Sequence, residues 1–96
     1  MYILISSYSK APEEVAKYFD THCAWLHKYI KEGVFVASGP KKSNLGGGIL
    51  VHSISKKRLM EIIKEDSYVK EDVADYLIVE LDFKLAADGF EKLISL

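Results

Sequence analysis

The segment Tyr2-Ile3-Leu4-Ile5-Ser6-Ser7-Tyr8 is rich in β-branched and aromatic residues, with apolar side chains at both odd and even positions. That pattern predicts a strand covered on both faces. Pro12, Glu13 and Glu14 suit a first helical turn, where proline is tolerated and negative charge meets the positive end of the helix dipole. Val15, Tyr18, Phe19, His22, Leu26, Tyr29 and Ile30 recur at three- and four-residue spacing, which predicts one long helix from Pro12 to Glu32, stopped by Gly33.

A second strand, Val34 to Gly39, ends at Pro40, which has no N–H to give a ladder. The polar loop Lys41 to Gly47 is too short for a crossover helix, so a third strand, Gly48 to His52, should lie antiparallel to the second. Ser55 can cap a helix from Lys56 to Glu65 with Leu59, Ile62 and Ile63 inward, and a fourth strand falls within Val73 to Phe83. Asp88 followed by Glu91 reads as a capping box for a short C-terminal helix carrying Phe90, Leu93 and Ile94. The order β-α-β-β-α-β predicts an α+β, ferredoxin-like sandwich. One domain over 1–96 is expected, with its core in 1–83 and a helical extension over 84–96.

In this arrangement both helices cover one face of the sheet, so the other face should be polar in a monomer. Instead Leu77, Val79, Leu81 and Phe83 alternate with Tyr76 and Ile78, and Ile3 and Ile5 alternate with Tyr2 and Leu4. Apolar residues on both faces predict a homodimer packed sheet against sheet, possible as a unit of a larger assembly of dimers.

Composition narrows the functional classes. The 96 residues are 49% hydrophobic and 28% charged with a net charge of −1, which predicts a folded chain without the basic face that nucleic-acid binders use. No nucleic-acid or membrane partner is expected. Met1 to Tyr8 lacks a basic flank and is too short for a signal peptide or a span, and the single cysteine, Cys23, rules out an intrachain disulfide. A cytoplasmic location is expected.

Among polar residues, His22 shares its helix stripe with Phe19, Leu26 and Tyr29, which aims the imidazole at the sheet. Such a residue is either a core histidine with a satisfied hydrogen bond or a general acid or base. Asp66, in Glu65-Asp66-Ser67-Tyr68, is placed at the unfavourable C-terminal end of a helix. It is either a solvated helix-end residue or the carboxylate that reaches His22 and fixes its tautomer. Ser38-Gly39-Pro40 and Gly46-Gly47-Gly48 serve as turns or let a ligand approach the backbone, and the triple glycine lacks the context of a phosphate loop. Cys23 points about 100° around the helix from His22 and reads as packing. His27 and His52 have no metal-ligand spacing, and no metal is expected. Trp25 and Tyr29 read as core, or one of them as a pocket wall.

Several of these runs together resemble the YCII-related family of small dimeric α/β-barrel proteins. The likeness rests on His22-Cys23-Ala24-Trp25-Leu26, Gly33-Val34-Phe35-Val36-Ala37-Ser38-Gly39-Pro40, the glycines before Ile49-Leu50-Val51, and Asp66-Ser67-Tyr68 before the last strand. It implies an active site of a histidine and an aspartate beside the Gly-Pro strand end, here His22, Asp66 and Ser38-Gly39-Pro40, and Trp25 and Tyr68 are expected to join Ser38, Gly39 and Pro40 in binding a small molecule. The family commonly has proline where this chain has Ser67 and often arginine where it has Phe19. A few members are linked to dehydrohalogenation of aromatic breakdown products. The resemblance therefore implies a cofactor-free lyase or isomerase using His22 and Asp66 for proton transfer; the alternative is a non-catalytic module that binds or senses a small ligand.

Overall fold

The computed structural model describes residues 1–96. Four strands, β1 (Tyr2–Tyr8), β2 (Phe35–Pro40), β3 (Gly46–Val51) and β4 (Ala74–Glu80), form one sheet in the order β2-β3-β1-β4. Every pairing is antiparallel, so the chain is an α+β protein with the predicted strand and helix order. Helices α2 (Phe19–Lys31) and α3 (Lys56–Lys64) cover one face. There Tyr2, Leu4, Phe35, Ile49 and Val51 of the sheet meet Trp25 and Tyr29 of α2 and Leu59, Ile62 and Ile63 of α3.

The predicted long first helix is two helices. Helix α1 (Pro12–Ala16) ends before Tyr18, whose φ of −113° and ψ of 11° leave the helical range before α2 begins. The break lets each piece serve a different core: Val15 packs with Tyr68, Val73 and Ala74, whereas Trp25 and Tyr29 join the main cluster. The Tyr18 carbonyl accepts from the Ser67 hydroxyl at 3.1 Å, so the break is pinned by the segment that follows α3.

That segment is a further short helix, α4 (Ser67–Lys70), absent from the sequence-based expectation. Asp66 is its N-cap, and its carboxylate accepts from the Tyr68 N–H at 3.1 Å. Asp66 therefore does not face the negative end of α3 unaided; it sits at the favourable end of the next turn.

Alternation on β1 and β4 follows the expected faces. Ile3 pairs with Val79 and Ile5 with Leu77 on the side away from the helices, where Leu77 is 61% exposed. β4 ends at Glu80, so Leu81 and Phe83 lie beyond the sheet. Pro40 is the last residue of β2, an edge strand, where a missing N–H costs no ladder bond. The C-terminal helix, α5, is only Lys92–Ser95, and the capping box does not form: Glu91 accepts from the Gly89 N–H, and no side chain caps the helix. Phe90 and Ile94 stay exposed, and the segment is tied back through the Ser53 N–H to the Leu96 carbonyl at 3.1 Å.

Candidate active site

α2 and α4 bring His22 and Asp66 together on the helix side of the sheet. His22 Nδ1 lies 2.7 Å from Asp66 Oδ1, and the Asp66 side chain is fully buried. A carboxylate without water must be supplied with donors. Asp66 has three: His22 Nδ1–H and the Tyr68 N–H on Oδ1, and the Tyr76 hydroxyl on Oδ2 at 2.8 Å. The proton shared with His22 therefore rests on Nδ1, and Nε2 is the ring nitrogen without a partner in the chain.

The imidazole is held on its face as well as at its edge. Tyr68 stacks on it with ring centroids 3.9 Å apart and planes 2° from parallel. The same two-residue step that lets Asp66 cap the Tyr68 N–H places that ring on His22. Burial raises the Tyr68 hydroxyl far above the ordinary phenol value, and burial with the Asp66 carboxylate does the same for Tyr76. Both stay protonated, and the Tyr76 hydroxyl acts as a donor, not a base.

His22 opens onto a cavity of about 340 Å³ between α2 and the β2–β3 hairpin. Ser38, Gly39 and Pro40 form one wall, Tyr68 and Tyr76 another, and Phe19, 54% exposed, stands at its rim. Cys23 also lines it, and burial raises its thiol above the ordinary value, so the thiol remains protonated. The space suits a molecule of roughly one ring and its substituents.

The hairpin wall needs glycine. A Cβ on Gly46 would lie 2.0 Å from the Ser6 carbonyl oxygen, and Gly46 has a φ of +153°. A Cβ on Gly47 would lie 2.9 Å from the Gly39 oxygen. Ser6, buried, completes the wall by accepting the Gly47 N–H at 2.8 Å.

Of the residues expected to bind a ligand, Ser38, Gly39, Pro40 and Tyr68 line the cavity and Trp25 does not. Trp25 is 5% exposed, lies 5.0 Å from the Phe35 ring and donates its indole N–H to the Ile62 carbonyl at 2.9 Å. Its bulk is spent joining α2, α3 and the sheet. Tyr76 and Ser6 were not expected here; the Tyr76 hydroxyl is signalled in sequence only by its place on the helix side of β4. No cluster of three or more His, Cys, Asp or Glu side chains could hold a metal ion. No helix is long and apolar enough to cross a membrane.

Comparison with solved structures finds a similar fold in 5-chloro-2-hydroxyhydroquinone dehydrochlorinase (TftG) from Burkholderia phenoliruptrix AC1100, in complex with 2,5-dihydroxybenzoquinone. The TM-score is 0.67 at 13% identity, over 84% of this chain and 93% of that one. No curated protein matches the sequence. The YCII-related domain matches residues 1–82, and the chain belongs to the YCII-related family.

Proposed function

We propose that this protein is a cofactor-free lyase or isomerase that moves a proton on a small cyclic hydroxy or carbonyl compound. The observation that carries the reading is the 2.7 Å contact between His22 Nδ1 and a fully buried Asp66 at the edge of a ring-sized cavity. His22 Nε2 takes a proton from a ring carbon next to a carbonyl, and the released electron pair forms a double bond. Return of the proton to another carbon is isomerisation; departure of an adjacent leaving group with that electron pair is elimination. Asp66 holds the tautomer and stabilises the imidazolium formed on the way. Ser38 to Pro40 and Tyr68 bound the substrate.

The likeness in fold to a dehydrochlorinase supports a ring substrate of this kind. The test is a panel of hydroxylated and keto rings, including 5-chloro-2-hydroxyhydroquinone and 2,5-dihydroxybenzoquinone, in heavy water, followed by NMR for product and for exchange of ring hydrogens. Turnover or exchange that disappears in His22→Ala supports the reading. A ring that binds beside His22 with neither product nor exchange identifies a non-catalytic binding module.

The working form is a homodimer, and the single domain and a cytoplasmic location belong to the same reading. Ile3, Ile5, Leu50, Leu77 and Val79 make the sheet face away from the helices apolar, a larger patch than a monomer usually leaves to water. Light scattering after gel filtration should give twice the mass of 10.8 kDa, and a stable monomer at micromolar concentration removes the dimer.

A further inference from the structure

Tyr76 belongs to neither of the two segments that carry the histidine and aspartate. It comes from the edge strand β4, where it pairs with Ser6 of β1, yet its hydroxyl ends 2.8 Å from Asp66 Oδ2. Its ring is half-buried against the core cluster, so packing alone would be served as well by phenylalanine. The hydroxyl has no other partner than Asp66.

Its effect follows from how hydrogen bonds share a carboxylate. Asp66 Oδ1 accepts from His22 and from the Tyr68 N–H, so Oδ2 is the one oxygen free for a further donor. A donor on Oδ2 draws charge from the whole carboxylate and weakens Oδ1 as the acceptor of the His22 proton. It also stops the carboxylate turning about its Cβ–Cγ bond, since each oxygen is engaged. Without it, a fully buried oxygen would be left with no donor.

We propose that Tyr76 is a positioning residue: through Asp66 it sets how strongly the carboxylate holds the Nδ1 proton of His22, and so how basic Nε2 is toward the cavity. It does so from the sheet, which makes β4 part of the proton-transfer machinery. The inference rests on the reading of His22 and Asp66 as the working pair.

The test reads the His22 ring by 1H–15N NMR in the intact protein, at pH about 8.5, where a free imidazole is neutral. The wild type should show a protonated Nδ1, with its proton far downfield, and a bare Nε2. Tyr76→Phe should move that proton further downfield, because Asp66 loses a competing donor. Replacing Tyr76 with 3-fluorotyrosine, a stronger donor of nearly the same size, should move it upfield, and this variant decides the matter if Tyr76→Phe does not fold. Shifts of opposite sign support the proposal. No shift, or shifts of the same sign, overturn it while leaving the His22–Asp66 pair intact. A wild-type ring protonated at Nε2 instead overturns the pair and the role of Tyr76 together.

Discussion

Glu65 and Asp66 are neighbours in sequence, and each accepts a hydrogen bond from a side chain of α2. Glu65 takes the Tyr29 hydroxyl on both oxygens at 2.7 Å and Lys28 Nζ at 3.3 Å, with its side chain 38% exposed. Asp66 takes His22, Tyr76 and the Tyr68 N–H with no exposure at all. Tyr29 sits among Trp25 and Phe35 in the packed core and does not line the cavity that His22 faces. Two near-identical motifs thus have different surroundings. A carboxylate tied to an aromatic group marks chemistry only when the donor also faces space for a substrate and can give up a proton near neutral pH.

That difference can be broken at either residue. Asp66→Ala should have the largest effect, a loss of about 3 kcal/mol in urea denaturation, because it removes an N-cap and strands buried donors. Next is Asp66→Asn, which should lower ring-hydrogen exchange or turnover by about 100-fold, since general acid and base catalysis by a well-placed histidine is worth at least that. Glu65→Gln, measured in the same assay, should leave the rate within about twofold. Equal losses in the two variants would erase the distinction between the pairs.

At the structural pair, Tyr29→Phe should cost about 1 kcal/mol, the net value of one partly exposed hydrogen bond, with no change in the His22 NMR signals. The smallest effect is its pH dependence. The Tyr29 hydroxyl, and after it Lys28, hold the Glu65 carboxyl below its ordinary value of 4.5. That contribution is complete above the ordinary value and is lost as pH falls through the lowered one. The stability gap between wild type and Tyr29→Phe should therefore narrow as pH drops below 4.5. A gap that widened on acidification would show that Glu65 is not the partner that matters.

Much of this is legible in the residues. Alternating apolar positions and the short polar loop give the four antiparallel strands, and the three- and four-residue spacing gives the inward side of α2. The stripe on the first helix hides its break, because Val15 and Trp25 point inward but toward separate clusters; periodicity records which way a side chain faces, not which core it joins. Asp66 was legible as a partner for His22 and misplaced as a helix-end residue. Aspartate is among the strongest N-caps, so Asp66-Ser67-Tyr68 carried the signal for α4, masked by the apolar run of α3 just before it. That Trp25 lies off the cavity and Tyr76 lines it was hidden for a different reason. Which aromatic ring ends as filler and which as wall depends on strand register and helix rotation, and no short pattern encodes either.

The close approach at Gly46 has a consequence for how this protein can be reshaped. With the Ser6 carbonyl oxygen 2.0 Å from where a first side-chain atom would stand, Gly46 cannot accept new bulk without giving up its pairing to β1, whereas Gly39 on the facing strand has open space around it. Retuning toward larger or smaller guests, by natural drift or by a laboratory library, therefore has to spare Gly46 and act at Gly39 or on the opposite bank, at Phe19 and Leu26, where the helix surface can change and the strands need not move.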